Sequence, residues 1–134
     1  MTIVILEDAA DDMESGRRFY ESCESGIGDY FTESVLSDLD SLVLYAGIHP
    51  IHFGFHRMLS KRFPFGIYYE VEHQVAYVYA ILDMRRDPLW IRRELQNENV
   101  ANKALHAKSW LKFIRLSVNQ KARENCEQSH ALSG

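Results

Sequence analysis

Phe65-Gly66-Ile67-Tyr68-Tyr69-Glu70-Val71-Glu72, then His73-Gln74, then Val75-Ala76-Tyr77-Val78-Tyr79-Ala80-Ile81-Leu82 read as two strands joined by a tight turn, and this reading decides the fold. In the first strand Phe65, Ile67, Tyr69 and Val71 alternate with Gly66, Tyr68, Glu70 and Glu72, the pattern of a strand buried on one face and wet on the other. Tyr69 is thereby assigned to the core and Tyr68 to the open face. Glu72-His73-Gln74 is the turn. The second strand is apolar at every position, so both its faces need cover and it belongs in the middle of a sheet. Tyr77 and Tyr79 are read as cross-strand aromatic packing.

Working outward, Asp83 to Pro88 forms a loop, Asp87 is placed to cap, and Pro88 suits the first position of a helix running from Leu89 to about Asn97. On the other side, His52 to Leu59 alternates as one strand, with Phe53 and Phe55 on one face and His52 and His56 on the other. His49, before Pro50, is a loop residue. In the first half, Ile3 to Leu6 is a short buried strand and Asp8 an N-cap, with Asp11 and Asp12 as acids of the first helical turn. Ala9, Met13, Gly16, Phe19, Tyr20 and Cys23 then mark one face of a helix that ends near Gly26. Ile27, Phe31, Val35, Leu39, Leu42, Val43 and Ala46 mark a second helix, stopped by Gly47. So short a link forces an antiparallel helical hairpin. The order is β-α-α-β-β-β-α, an α+β domain over residues 1–97 in which the N-terminal strand and helical hairpin pack on an antiparallel sheet. Residues 98–134 form a C-terminal extension, with one amphipathic helix at about 103–118 that lines up Lys108, Lys112 and Arg115, and a flexible tail beyond it.

At 134 residues and 46% hydrophobic, the chain suits one domain with a sizeable core. The net charge of −4 hides an asymmetry, because residues 1–56 carry −9, residues 57–93 carry +3 and the remainder +2. Opposite faces of opposite sign follow, so an anionic partner is compatible with the acidic total. Cys23 and Cys126 lack disulfide or zinc spacing. The amino terminus has neither the basic region of a signal peptide nor the length of a membrane span, and the chain is expected to be cytoplasmic, with no metal or cofactor.

Arg62-Phe63-Pro64-Phe65-Gly66-Ile67-Tyr68-Tyr69, the ending Arg85-Arg86-Asp87-Pro88, the Phe19-Tyr20 pair and Gly26-Ile27-Gly28, set in this element order, resemble the RelE/ParE toxins of bacterial type II toxin–antitoxin systems. The resemblance covers roughly residues 1–97. It implies a small toxin neutralised by a cognate antitoxin that wraps it, in a hetero-oligomer without a membrane partner. One branch of that family cleaves messenger RNA on the ribosome and another poisons DNA gyrase. In the ribonuclease branch an arginine belongs at the place of Gly66, and a tyrosine near the place of Trp90; neither is present here. The pattern is closer to the ParE-like, plasmid-stabilisation members, which implies a non-enzymatic inhibitor of gyrase.

The residues expected to meet target or antitoxin are Arg57, Lys61, Arg62, Arg85, Arg86, Trp90, Arg92 and Arg93, cations at strand and helix ends where an anionic surface can dock. Trp90 faces either the core or the antitoxin. The alternative is a metal-independent, ribosome-dependent endoribonuclease, in which Arg85 or Arg86 stabilises the phosphate and His52 and His56 move protons. A third reading is an inactive scaffold that only binds an antitoxin.

Overall fold

The computed structural model describes residues 1–105 and 114–115. In chain order the elements are β1 (Thr2–Ile5), α1 (Glu7–Cys23), α2 (Ile27–Asp40), α3 (Leu42–Tyr45), β2 (Ile51–His52), β3 (Phe55–Leu59), β4 (Phe65–Glu72), β5 (Val75–Asp83), α4 (Pro88–Leu105) and β6 (Ile114–Arg115). The molecule is α+β, with strands in the order β2-β3-β4-β5-β1-β6. β5 is central: it runs antiparallel to β4 and parallel to β1. The hairpin between β4 and β5 turns on His73 and Gln74, whose φ values of 49° and 65° are those of a two-residue turn that matches strand twist.

Helices cover both faces of the sheet. On one side α1 and α2 contribute Ala9, Met13, Phe31, Val35 and Leu39 against Ile3, Ile5, Ile67, Tyr69 and Val78. On the other, α4 contributes Ile91 and Leu95 against Leu6, Phe55, Tyr68, Tyr79 and Leu82. A β-bulge explains how β5 serves both. Tyr68 pairs with Ala80 and Tyr69 with Val78, so Tyr79 is extra, and Tyr79 and Ala80 both join the α4 side.

Several expectations are corrected. Gly66 and Tyr68 do not face water, because Tyr68 packs with Ile91 and Leu95 of α4 and is fully buried; beyond Tyr69 the alternation is lost, since Val71, expected in the core, is exposed like Glu72. His52 to Leu59 is a hairpin, broken by a turn at Phe53 and Gly54 with φ of 55° and 88°. Its register pairs Ile51 with His56 and His52 with Phe55, which places the two histidines on opposite faces and leaves Phe53 exposed while Phe55 is buried. α1 starts at Glu7 on Leu6, without a side-chain cap, so Asp8 is not the N-cap. The second helix breaks at Ser41 into α2 and α3, and Gly47 then follows at φ 98°. α4 runs through residue 97, where a domain limit was expected, to Leu105. Ile114 and Arg115 form a strand paired antiparallel to β1, inside the stretch expected to be helical. Residues 103–105 of that stretch belong to the end of α4, while 106–113, with Lys108 and Lys112, and 116–118 lie outside the described residues, as does the expected tail.

Candidate functional site at one end of the sheet

The site begins with two loops that the sheet brings side by side. Phe65 opens β4 opposite Asp83 at the end of β5, and Met84 N–H donates to the Pro64 carbonyl at 2.7 Å. The loop before β4 is fixed to α2 by the buried Asp38, whose carboxylate accepts from Ser60 Oγ at 2.6 Å and Lys61 N–H at 3.4 Å. Burial pushes the Asp38 carboxyl above its ordinary range, against those hydrogen bonds and the charges of Lys61 and Arg62. Phe63 then inserts among Tyr20, Tyr30 and Phe31, with ring centroids 4.8, 5.7 and 5.1 Å away, so the loop is held by aromatic packing. Lys61 and Arg62 remain exposed, and Arg62 lies 5.9 Å from the Tyr30 ring centroid.

The loop after β5 carries the two arginines, and they differ. Arg85 grips Asp83 through Nε at 3.0 Å and Nη2 at 2.8 Å, with Nη2 3.5 Å from Tyr20 Oη. The hydrogen bonds from Arg85 hold the Asp83 carboxyl below its ordinary range despite partial burial. Arg86 instead places its guanidinium 3.9 Å from the Trp90 ring centroid, a cation–π contact. Of the two arginines expected to meet target or antitoxin, Arg85 is thus held by the chain's own Asp83, while Arg86 rests on Trp90. Asp87 caps α4 as expected, accepting from Leu89 N–H at 2.9 Å.

Lys61, Arg62, Arg85, Arg86 and Trp90 thus gather at one end of the sheet. Arg57 lies further in, on the α4 side, across from Tyr68, and its Nε is buried without a partner. Burial raises the Tyr68 hydroxyl above its ordinary range while Arg57 opposes the rise, and that hydroxyl lies 3.3 Å from Met84 Sδ. Gly66 belongs to the same packed layer: a Cβ built on it would meet Met84 Sδ at 2.7 Å and Tyr68 Cε2 at 3.2 Å. Arg92 and Arg93 are exposed along the outer side of α4.

The histidines sit elsewhere. His56 pairs with Tyr69, four residues along β4 from Phe65 and so about 13 Å from the basic end. Its ring stacks on Tyr69, and its Nδ1 bonds the His49 carbonyl at 2.7 Å. His49, read as a plain loop residue, also bonds Tyr69 Oη through Nδ1, and Gly47 N–H donates to the same hydroxyl at 2.9 Å. The Tyr69 hydroxyl thus bridges Gly47 N–H and His49 Nδ1. Burial lowers the His49 pKa, with His56 adding to the effect. This cluster ties the loop after α3 to the sheet, and it does not converge with Arg85 and Arg86.

One residue of the site carries no signal in the motif. Asp12 turns inward from α1, and its carboxylate accepts from Ile81 N–H at 3.1 Å, a donor that the β1 ladder, which ends at Val78, leaves free. Burial pushes the Asp12 carboxyl up to about 7, opposed by that hydrogen bond and reinforced by Asp8, Glu94 and Asp11. Its position three residues after Ala9 and four before Gly16, on the buried stripe, was the available clue. Asp12, Phe19, Phe65, Ile81, Arg86 and Trp90 line a cleft of about 480 Å³ between α1 and the basic end.

No family model, curated protein or solved structure matches this chain. Among the described residues no group of three or more His, Cys, Asp or Glu could hold a metal ion, and no helix is long and apolar enough to cross a membrane.

Proposed function

We propose that this chain is the toxin component of a type II toxin–antitoxin system, active in the cytoplasm, which inhibits DNA gyrase by direct binding and is neutralised by a cognate antitoxin. The observation that supports this reading is the gathering of Lys61, Arg62, Arg86 and Trp90 on the two loops that bound the resembling motif. Arg86 and Arg62 supply charge held on aromatic faces, a form of cation that loses little hydration on docking against an acidic surface. Trp90 supplies apolar area beside it, the combination that concentrates binding energy at protein interfaces.

Binding is favoured over RNA cleavage by one feature of the packing. The place where the ribonuclease branch carries an arginine is Gly66, and Met84 fills the space a side chain would need. His52 and His56, the proton-transfer groups of the alternative, lie on opposite faces of the β2–β3 hairpin.

Expression without antitoxin tests the reading. Growth arrest with induction of the DNA-damage response, and linearised DNA when purified chain is added to gyrase, are the expected results. Truncated messages in a translating extract with intact DNA would instead assign the ribonuclease activity. No growth defect at all would assign the inactive scaffold.

A further inference from the structure

The cleft beside α1 joins apolar walls to charged groups. Its walls are aromatic and aliphatic, from Phe19, Phe65, Ile81 and Trp90, and its volume of about 480 Å³ lies in the range of small-molecule sites. Also lining it is the Asp12 carboxylate, which accepts from a backbone donor, Ile81 N–H. The charged groups acting on Asp12 are carboxylates, Asp8 and Asp11 on α1 and Glu94 on α4. Arg86 lines the same cleft but lies on the Trp90 face, and Arg85 is held by Asp83, a further lining residue. A half-buried acid among acids, beside aromatic walls, favours a cationic partner, and the aromatic faces add attraction for one.

We infer that this cleft binds a small organic monocation, an ammonium or guanidinium on an apolar or aromatic body, with the Asp12 carboxylate as counter-charge and Phe19, Phe65 and Trp90 as walls. The inference goes beyond the toxin reading and stands or falls without it. Binding requires Asp12 ionised, so it releases a proton near neutrality. Because the Asp12 carboxyl titrates at about 7, affinity for a cation should rise about tenfold between pH 6 and pH 8.

Calorimetric titration of the full chain with phenethylamine tests this, with phenylacetate as the anion of similar body. The expected result is binding of the amine alone, about tenfold tighter at pH 8, with proton release at pH 7. Asp12→Asn should abolish amine binding, with folding checked by circular dichroism. Trp90→Ala should weaken it but keep the pH step, and Arg86→Ala should strengthen it by removing a competing cation. An amidated, N-acetylated Phe-Lys dipeptide binding more tightly than phenethylamine would place the cation on a partner's side chain, and weaker binding would place it on a free amine. Preference for phenylacetate, loss of binding in Arg86→Ala, unchanged amine affinity in Asp12→Asn, or no binding of either probe would overturn the inference.

Discussion

At the scale of single residues, the two arginines at the end of β5 separate into a structural and an available cation. Arg85 is engaged by Asp83, while Arg86 leans on an indole that can be shared with a partner. If the chain acts as the proposed toxin, Arg86→Ala should relieve growth arrest and Arg85→Ala should relieve it much less, as read by colony counts on induction. Gly66 gives a second expectation. Gly66→Arg, which would restore the charge of the ribonuclease branch, should cost about 1–3 kcal/mol in urea unfolding through overpacking against Met84 and Tyr68, without switching on RNA cleavage. Asp12 gives a third, with a definite sign. Its folded pKa of about 7 lies above the ordinary 3.8, so the native state holds the proton more tightly. That contribution is fully present below about pH 4 and is lost as pH rises through 7. Asp12→Asn should remove this loss, gaining about 1–3 kcal/mol over the native chain at pH 8 relative to pH 5 in paired urea melts. The motif arginines were legible as sequence because a basic pair beside a helix-starting proline stands out. Asp12 was not, because an acid in the early part of a helix suits the helix dipole equally well, and only the end of the β1 ladder at Val78 leaves the Ile81 N–H for it.

At the scale of elements, β4, β5 and their turn were readable because alternation, a uniformly apolar run and a polar tripeptide between them agree with one another. The errors arose where two local patterns fit one string. His52 to Leu59 alternates like a strand, but Phe53-Gly54 takes positive φ and folds it into a hairpin. Phe is a poor residue for that conformation and is 46% exposed, so Phe53→Asn should stabilise the protein by roughly 0.5–1 kcal/mol in thermal or urea unfolding. The open face assigned to Tyr68 failed for a different reason. Alternation reports only whether a strand's second face is polar, and a tyrosine there is compatible with water or with a helix laid across it. The helix that covers it, α4, starts more than a dozen residues further on in sequence. No local window could have placed it.

At the scale of the whole molecule, the class, the helical hairpin and the central place of β5 follow from sequence order, and what sequence order left out is the second layer. The chain is helix, sheet, helix in section, with α4 and β6 completing what was read as an open sheet and a separate extension. β6 lies on the outer edge of β1, where unpaired backbone would otherwise invite another strand. A chain ending at residue 105 should accordingly self-associate with rising concentration in sedimentation velocity, more than the full chain does. The parallel pairing of β1 with β5 carries a consequence of its own for synthesis. Ile3 meets Ala76 across more than seventy residues, a distant closure that must wait for nearly the whole domain. On the ribosome the amino-terminal strand emerges with no neighbour to join. A nascent chain stalled before residue 75 therefore exposes an apolar strand whose partner has not yet been made.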